Sequence, residues 1–345
     1  MARIKLKPLK EQVVVITGAS SGIGLVTARM AAKHGARLVV TARSEESLRR
    51  LVEEISAGGT EAIYVAADVS RSEDVARIAE TAIQRFGGFD TWVNNAGVSI
   101  YGHLVDVAIE DMRRLFETNF WGLVQGSLTA ARHLKTKGGA IINVGSTLSD
   151  RAIPLQGAYC ASKHAVKGFT DSLRMELEAE DAPVSVTLIK PGSIDTPYRH
   201  HAKNYLPSEP KNPGLVYAPN AVAEAILHCA EHPERDIFVG GGGKGMAFFG
   251  NYAPRLTDKL MERFVIPGQE SAEAPRPREE NGLYKASGDL QERGGHPGHV
   301  AKYSLYTKSR LHPLATAAIV AGSVALAATW KRRSPSSNGR KGRTR

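Results

Sequence analysis

The chain has 345 residues and a formal net charge of +10. Its hydrophobic fraction of 42% is sufficient for a large buried core and excludes a wholly disordered protein. Two cysteines, Cys160 and Cys229, exclude a disulfide framework and a multi-cysteine zinc site. We expect both thiols to pack in the core.

The positive charge is concentrated at one end of the chain. Residues 331–345 hold seven lysines and arginines and no acid, which leaves +3 for residues 1–330. This basic tail contains no interleaved aromatic residues and no recognised module, so we expect no nucleic-acid partner.

From residue 13 onward, short β-branched runs alternate with helical patterns. The apolar runs predict strands at 13–17, 38–41, 63–65, 91–93, 140–144, 184–189 and 237–239. Apolar periodicity predicts helices at 23–31, 72–86, 109–135, 159–179 and 219–231. The alternation predicts an α/β fold: a Rossmann-like, doubly wound parallel sheet between two helical layers, in one domain.

The composition changes near residue 267. The sequence therefore predicts one domain over 1–265 and a linker or loosely ordered extension over 266–312. Residues 313–330 carry no charge, and as a helix they would span about 27 Å. They form either a membrane-associated helix, which precedes the basic tail 331–345, or a helix packed on protein. We favour membrane association, with the main domain in the cytoplasm, and leave the topology open.

A glycine-rich turn links the first strand to the first helix. It contains Gly18, Ala19, Ser20, Ser21, Gly22, Ile23 and Gly24. Gly18 permits a tight turn, Gly22 leaves room for a phosphate at the helix N-terminus, and Gly24 permits close packing on the sheet. The strand–turn–helix context favours a dinucleotide phosphate site.

The end of the second strand predicts which dinucleotide binds. No acid is present there to bind a ribose 2′-hydroxyl, whereas Arg43 suits a 2′-phosphate, so we expect NADP(H) rather than NAD(H). The alternative is that Arg43 is a solvated residue at a helix start. The third and fourth strands are followed by further candidate cofactor contacts, namely Asp68, Val69, Asn95, Ala96 and Gly97. Asp68 is a candidate to bond the adenine, to cap the next helix, or to do both.

Tyr159 and Lys163 lie four residues apart, on one face of a predicted helix. An ammonium near a phenol lowers its pKa, so the pair can act as an acid toward a carbonyl or as a base toward an alcohol. Ser146 follows the fifth strand and can bond a substrate oxygen. Asn119 lies between two phenylalanines and is either a functional amide or a satisfied buried one.

Together with Pro191-Gly192, these motifs resemble the short-chain dehydrogenase/reductase family over about residues 10–265. The resemblance implies that Tyr159 is the acid/base, that Lys163 bonds the nicotinamide ribose and that Ser146 holds the substrate oxygen. Asn119 would support a water that links Lys163 to bulk solvent. The nicotinamide face would be lined by Pro191, Gly192, Ile194 and Thr196. A seven-stranded sheet of order 3-2-1-4-5-6-7 is also implied, with a dimer or tetramer formed through the helices that carry Asn119 and Tyr159.

The expected activity is hydride transfer between NADP(H) and a small-molecule carbonyl or secondary alcohol, with a lipophilic substrate suggested by the apolar segment. The alternative is a membrane-tethered nucleotide-sensing or scaffold protein without turnover. The long connection at 197–218 is expected to cover the substrate. Residues near the substrate would include Tyr198, His200, His201, Tyr205, Tyr101, Leu148, Pro154 and Gln156, but none of them identifies it.

Overall fold

The computed structural model describes residues 4–212, 214–287, 290–314, 316–318 and 323. The chain divides into two compact units, Met1–Thr307 and Lys308–Arg345. The first unit contains all the predicted strands and all the predicted site residues.

A seven-stranded parallel sheet forms the centre of the first unit. Its strands are β1 Val13–Thr17, β2 Arg37–Ala42, β3 Ala62–Ala66, β4 Thr91–Asn94, β5 Gly139–Val144, β6 Val184–Pro191 and β7 Asp236–Val239. Their spatial order is β3-β2-β1-β4-β5-β6-β7, and every neighbouring pair is parallel. The predicted fold class and strand order are confirmed.

Helices follow the strands in alternation. They are α1 Gly22–Lys33, α2 Glu45–Ala57, α3 Ser72–Phe86, α4 Ile109–Phe116, α5 Gly122–Lys137, α6 Gly157–Ala179, α7 Tyr198–His201, α8 Pro219–Glu231, α9 Gly241–Tyr252, α10 Pro254–Leu260, α11 Ile266–Gln269 and α12 Leu305–Leu311. Single 3-10 turns form at Leu9–Glu11 and Thr147–Ser149. π-Helical turns form at Glu117–Trp121, between α4 and α5, and at Met261–Val265.

The core lies on both faces of the sheet because successive side chains of a strand point to opposite faces. Val13 and Val15 lie in one apolar cluster with residues of α3, α5 and α6. Val14 and Ile16 are also fully buried, and they point to the other face because side chains alternate along a strand. Both faces of the sheet are therefore covered, which explains why β1 is a continuous apolar run.

The predicted linker or loosely ordered extension over 266–312 contains residues that pair with the main domain in the first unit. Val300–Ala301 adds a parallel strand to Val216–Tyr217, which in turn pairs with Ser193–Ile194. Backbone hydrogen bonds also fasten the extension to the domain, including Gly282 N–H to His201 O at 2.7 Å. Backbone pairing does not require apolar periodicity, so the composition did not reveal this packing.

Most of the apolar segment 313–330 lies outside the described residues, which there are 313, 314, 316–318 and 323, and the basic tail 331–345 lies wholly outside them. Within the described part of the chain, no helix is both long and apolar enough to cross a membrane. Membrane association stays a prediction from sequence.

Candidate active site

The turn between β1 and α1 has the geometry that its glycines predict. Gly18 and Gly22 have φ angles of +68° and +52°, in the left-handed region that favours glycine. A Cβ on Gly24 would lie 2.2 Å from Gly18 O and 2.5 Å from Asn95 Nδ2, so only glycine fits there. The Gly22 N–H, the first of α1, donates to Gln291 O at 2.8 Å, and the N–H groups that follow it in the first turn favour an anion.

Asn95 fastens this turn to the end of β4. Its Nδ2 donates to Thr17 O at 2.9 Å and to Gly18 O at 3.2 Å. Thr17 Oγ1 accepts from the N–H groups of Asn95 and Ala96 at 2.9 and 3.0 Å. The side-chain amide of Asn95 therefore stabilises the backbone of the glycine-rich turn.

Asp68 lies at the end of β3 and is held by two neighbours. Its carboxylate accepts from Arg114 Nη2 at 2.6 Å and from the Ser70 N–H and hydroxyl at 3.0 and 2.8 Å. Burial by itself would raise the pKa of Asp68, but the bonds from Arg114 and Ser70 lower it below its ordinary value. Helix α3 begins after Arg71, so Asp68 is not its cap.

Arg43 contacts the extension, which excludes the solvated alternative. Its Nη2 donates to Gly282 O at 2.5 Å and its Nη1 to Leu283 O at 3.4 Å. No carboxylate of the described residues forms an ion pair with it. Burial lowers the pKa of its guanidinium, and the charge of Asp68, which pairs with Arg114, offsets part of that effect. A half-buried cation whose partners are neutral carbonyls favours an anionic ligand.

These groups line one cleft at the carboxyl edge of the sheet. Of the residues predicted to bind cofactor, the cleft is lined by Gly18, Ser20, Ser21, Gly22, Ile23, Arg43, Asp68, Val69, Asn95, Ala96, Gly97 and Thr196. Its other lining residues include Thr118, Pro197, Tyr198 and His201, and Gly282, Ala286 and Ser287 of the extension. Pro191, Gly192 and Ile194 are not among the described residues that line it. Of the four residues predicted to line the nicotinamide face, only Thr196 is among the described residues that line the cleft.

Sequence reasoning missed Thr118. Its side chain is buried, it lines the cleft, and its Oγ1 has no hydrogen-bond partner among the described residues. A buried hydroxyl without a partner costs about 1–3 kcal/mol, which a ligand atom in the cleft would recover. Its neighbour Asn119 carried the only sequence signal at this position.

Tyr159 lies in the first turn of α6, and its ring packs edge-on against Tyr198 with centroids 5.4 Å apart. Ser146 follows β5, and its Oγ accepts from the Leu148 N–H at 3.1 Å. Burial raises the pKa of the Tyr159 phenol to about 12, and hydrogen bonds with Ser146 and Tyr198 partly offset this effect. Tyr198 lines the cleft, so the Tyr159 ring lies next to the cleft wall, although neither Tyr159 nor Ser146 is among the described residues that line the cleft.

Lys163 lies one helical turn from Tyr159, with Nζ 5.7 Å from the Tyr159 ring centroid. It donates to Val144 O at 2.9 Å, and burial lowers its pKa to about 8. The expectation that this ammonium lowers the pKa of Tyr159 is wrong for the protein alone. Burial raises the pKa of Tyr159 and lowers that of Lys163 because it destabilises both charged forms, the phenolate and the ammonium.

Asn119 is buried in the π-helical turn between α4 and α5. Its Oδ1 accepts from the Val98 N–H at 2.8 Å, and its Nδ2 donates to Val98 O and Ser162 Oγ at 2.9 and 3.2 Å. The side chain is thus the satisfied buried amide of the second alternative. The proposed role beside a water is not tested by these contacts.

The connection after β6 brings some predicted substrate-site residues together. Tyr198 Oη donates to Ser99 Oγ at 2.7 Å and to Gln156 Oε1 at 3.3 Å. Tyr205 donates to Asp111. Both tyrosines pack against the apolar cluster that contains Tyr159, and the Tyr198 ring contacts the Tyr159 ring.

Both thiols are buried and free, in agreement with the prediction that they pack in the core. Burial raises the pKa of Cys160 to about 11 and that of Cys229 higher still. Neither thiol is therefore a reactive nucleophile near neutral pH.

We expect Lys163→Met to stabilise the folded protein at pH 7. The Lys163 pKa is about 8 in the folded state, against an ordinary value of 10.5, so folding disfavours its proton. That penalty is complete below pH 8, at about 3 kcal/mol, and disappears as the pH rises toward 10.5. Loss of the bond to Val144 O offsets part of the gain.

Urea unfolding of wild type and Lys163→Met at pH 7 and pH 10 measures this difference. The stabilisation should be largest at pH 7 and shrink at pH 10. A gain that is equal at both values, or that grows with pH, would show that the ammonium is not destabilised by burial.

The comparisons with known proteins agree with this geometry. A profile described as short chain dehydrogenase matches residues 12–205. An uncharacterized oxidoreductase of Bacillus subtilis, YxnA, is 54% identical over 329 residues, which cover 94% of this chain and 92% of the relative. A match of that length includes most of the extension. Dehydrogenase/reductase SDR family member 7B of Bos taurus is 32% identical over 73% of this chain and 81% of its own.

Two solved structures have the same fold. A short chain dehydrogenase/reductase from Burkholderia phymatum in complex with NAD superposes with a TM-score of 0.66 at 26% identity, covering 73% of this chain and 96% of that one. An alcohol dehydrogenase from Thermococcus sibiricus complexed with 5-hydroxy-NADP gives a TM-score of 0.58 at 28% identity, covering 66% and 95%. Each of them covers about three quarters of this chain or less.

Proposed function

Because this chain belongs to the short-chain dehydrogenase/reductase family, we propose that it is an NADP-dependent enzyme that transfers a hydride between nicotinamide and a carbonyl or secondary alcohol. Members of the family are oxidoreductases, and the two solved relatives hold NAD and 5-hydroxy-NADP. The choice of NADP over NAD, the substrate class and the acid/base residue are the parts of this proposal that go beyond family membership.

The residues of the cleft fit a phosphorylated dinucleotide. The left-handed turn at Gly18 and Gly22 would offer a pyrophosphate the N–H groups that follow Gly22, whose own N–H donates to Gln291 O. Arg43 supplies a cation without a carboxylate partner, which suits a 2′-phosphate. Thr118 supplies a buried hydroxyl that lacks a partner. When bound, the nicotinamide supplies the hydride.

The protein's own residues would move the proton. Tyr159 Oη would donate its proton to the carbonyl oxygen during reduction and recover it during oxidation. A phenol held neutral by burial is in the correct form to donate. Ser146 would hold the same oxygen through its hydroxyl. Lys163 would bond the ribose, and its ammonium would supply positive charge when that bond keeps it protonated.

The juxtaposition of Tyr159 with Ser146 at the carboxyl edge of the sheet carries the proposal of turnover. A protein that only senses nucleotide has no use for a buried phenol influenced by a serine and packed against Tyr198 of the cleft wall. NADPH consumption by the full chain with a panel of ketones and aldehydes tests this reading. Activity with none of them, despite NADPH binding, would favour the nucleotide-sensing alternative.

We expect Arg43→Gln to weaken NADPH binding about tenfold or more and to leave NADH binding nearly unchanged. The loss corresponds to one charge-assisted contact with the 2′-phosphate, about 1.5–3 kcal/mol. Titration of both dinucleotides by fluorescence measures the two affinities. Arg37→Gln, at the other end of β2, is the matched control. Equal loss for both dinucleotides would contradict a 2′-phosphate contact.

The assembly and the substrate class stay proposals. Trp121 and Met175, on the elements predicted to form the subunit interface, expose 47% and 57% of their surface. Large exposed apolar side chains of this kind are typical of such interfaces. The proposal that the substrate is lipophilic is based on the apolar segment 313–330 alone.

A further inference from the structure

Two described segments of the extension are hydrogen-bonded to residues that line the cofactor cleft. We call residues 281–287 and 290–296 the strap. At its first end, Gly282 O and Leu283 O accept from Arg43, and Gly282 N–H donates to His201 O. At its second end, Gln291 O accepts from the Gly22 N–H at 2.8 Å, and Glu292 pairs with Arg29.

The first end of the strap is anchored by a single apolar side chain. Leu283 is fully buried, in the cluster that contains Leu115 and Tyr159. Tyr284 Oη adds a bond of 2.7 Å to Asp111. Lys285 and Ala286 are exposed. Leu283 therefore fixes the position of the carbonyls that precede and follow it in the backbone.

Those carbonyls hold two guanidinium groups. Leu283 O accepts from Arg114 Nε at 3.2 Å as well as from Arg43 Nη1, while Arg114 also binds Asp68. The Arg43 guanidinium has five N–H donors, and the strap carbonyls use two of them. The remaining donors stay available to an anion, while the nearby carboxylate of Asp68 offsets part of the positive charge.

We propose that Leu283 is a positioning residue that holds Arg43 ready for the 2′-phosphate and thereby sets the preference for NADP over NAD. An arginine side chain fixed in advance loses less conformational freedom on binding. This inference rests on the proposed function. It assigns part of the cofactor preference to the extension, which lies outside the matched range 12–205.

A competing arrangement predicts the opposite change in NADPH affinity when the strap is released. The cleft has a volume of about 170 Å³, below the roughly 300–1,000 Å³ of typical ligand pockets. If the strap carbonyls excluded the phosphate instead of orienting Arg43, release of the strap would strengthen NADPH binding. The two arrangements are separated by one titration.

The experiment measures the NADPH and NADH dissociation constants of the full chain for wild type, Leu283→Ala and Leu283→Met. We expect Leu283→Ala to weaken NADPH binding about tenfold, equivalent to about 1.4 kcal/mol, and NADH binding by less than about twofold. Leu283→Met conserves volume and should restore most of the preference. Lys285→Ala, on the same strap but exposed, is the matched control and should match wild type.

Tyr284→Phe serves as a second variant if Leu283→Ala fails to fold, because it removes only the bond to Asp111. It should shift the ratio of the two affinities in the same direction by a smaller factor. An unchanged ratio in folded variants, or tighter NADPH binding, would overturn the inference while the proposed function stands. A wild type that binds neither dinucleotide would overturn both.

Discussion

Tyr159→Phe is expected to lower the turnover number at least about 100-fold while NADPH still binds, because general acid–base catalysis contributes about 10²–10⁴. The substitution removes only Oη, and the ring keeps its packing against Tyr198. Loss of the hydrogen bond should cost about 1 kcal/mol of folding free energy. Steady-state kinetics with an accepted carbonyl, together with NADPH titration, measures both quantities.

Tyr217→Phe is the matched control for this substitution. Tyr217 is also buried, but it lies on the small sheet, in the strand Val216–Tyr217. It should retain wild-type turnover. If Tyr159→Phe retained most of its turnover, the acid/base role would belong to another group, and the account of the site would be wrong.

Gly24→Ala is expected to destabilise the protein by more than about 3 kcal/mol, the upper part of the range for overpacking. The new methyl would meet Gly18 O at 2.2 Å, and a backbone oxygen in a tight turn cannot move aside. The same displacement would distort the phosphate turn, so the affinity for either dinucleotide should fall. Urea unfolding and cofactor titration measure these two effects.

Gly168→Ala is the matched control for this change. Gly168 also lies within a helix, α6, but a Cβ there would meet nothing within 4 Å. It should stabilise the protein by up to about 1 kcal/mol, the helix-propensity difference. Equal behaviour of the two variants would show that close packing at Gly24 is not required.

Local patterns predicted the central fold because each strand and helix of the sheet buries a continuous apolar face. Val13–Thr17 is buried throughout, and four of its five residues are apolar, because both faces of β1 are covered. The positions of Gly18, Gly22 and Gly24 were predictable for a related reason. Left-handed backbone and a 2.2 Å approach are requirements that only glycine meets.

The rest of the site depends on contacts that leave no local pattern. Arg114, in α4, binds Asp68, which follows β3 and lies 46 positions earlier in the chain. Arg43 binds Gly282, which lies 239 positions later. The strap is held mainly by backbone carbonyls and one buried leucine, with side-chain contacts from Tyr284 and Glu292, so its sequence resembles a linker. The pKa of Tyr159 also depends on burial, which the spacing to Lys163 does not reveal.

The most direct test of the central claim is the fate of the hydride itself. The full chain is incubated with NADPH carrying deuterium at nicotinamide C4, on each face in turn, and with each carbonyl of the panel. The product alcohol is then analysed by mass spectrometry. The account predicts deuterium at the former carbonyl carbon from one face of the cofactor. NADPH binding without label in any product would contradict it.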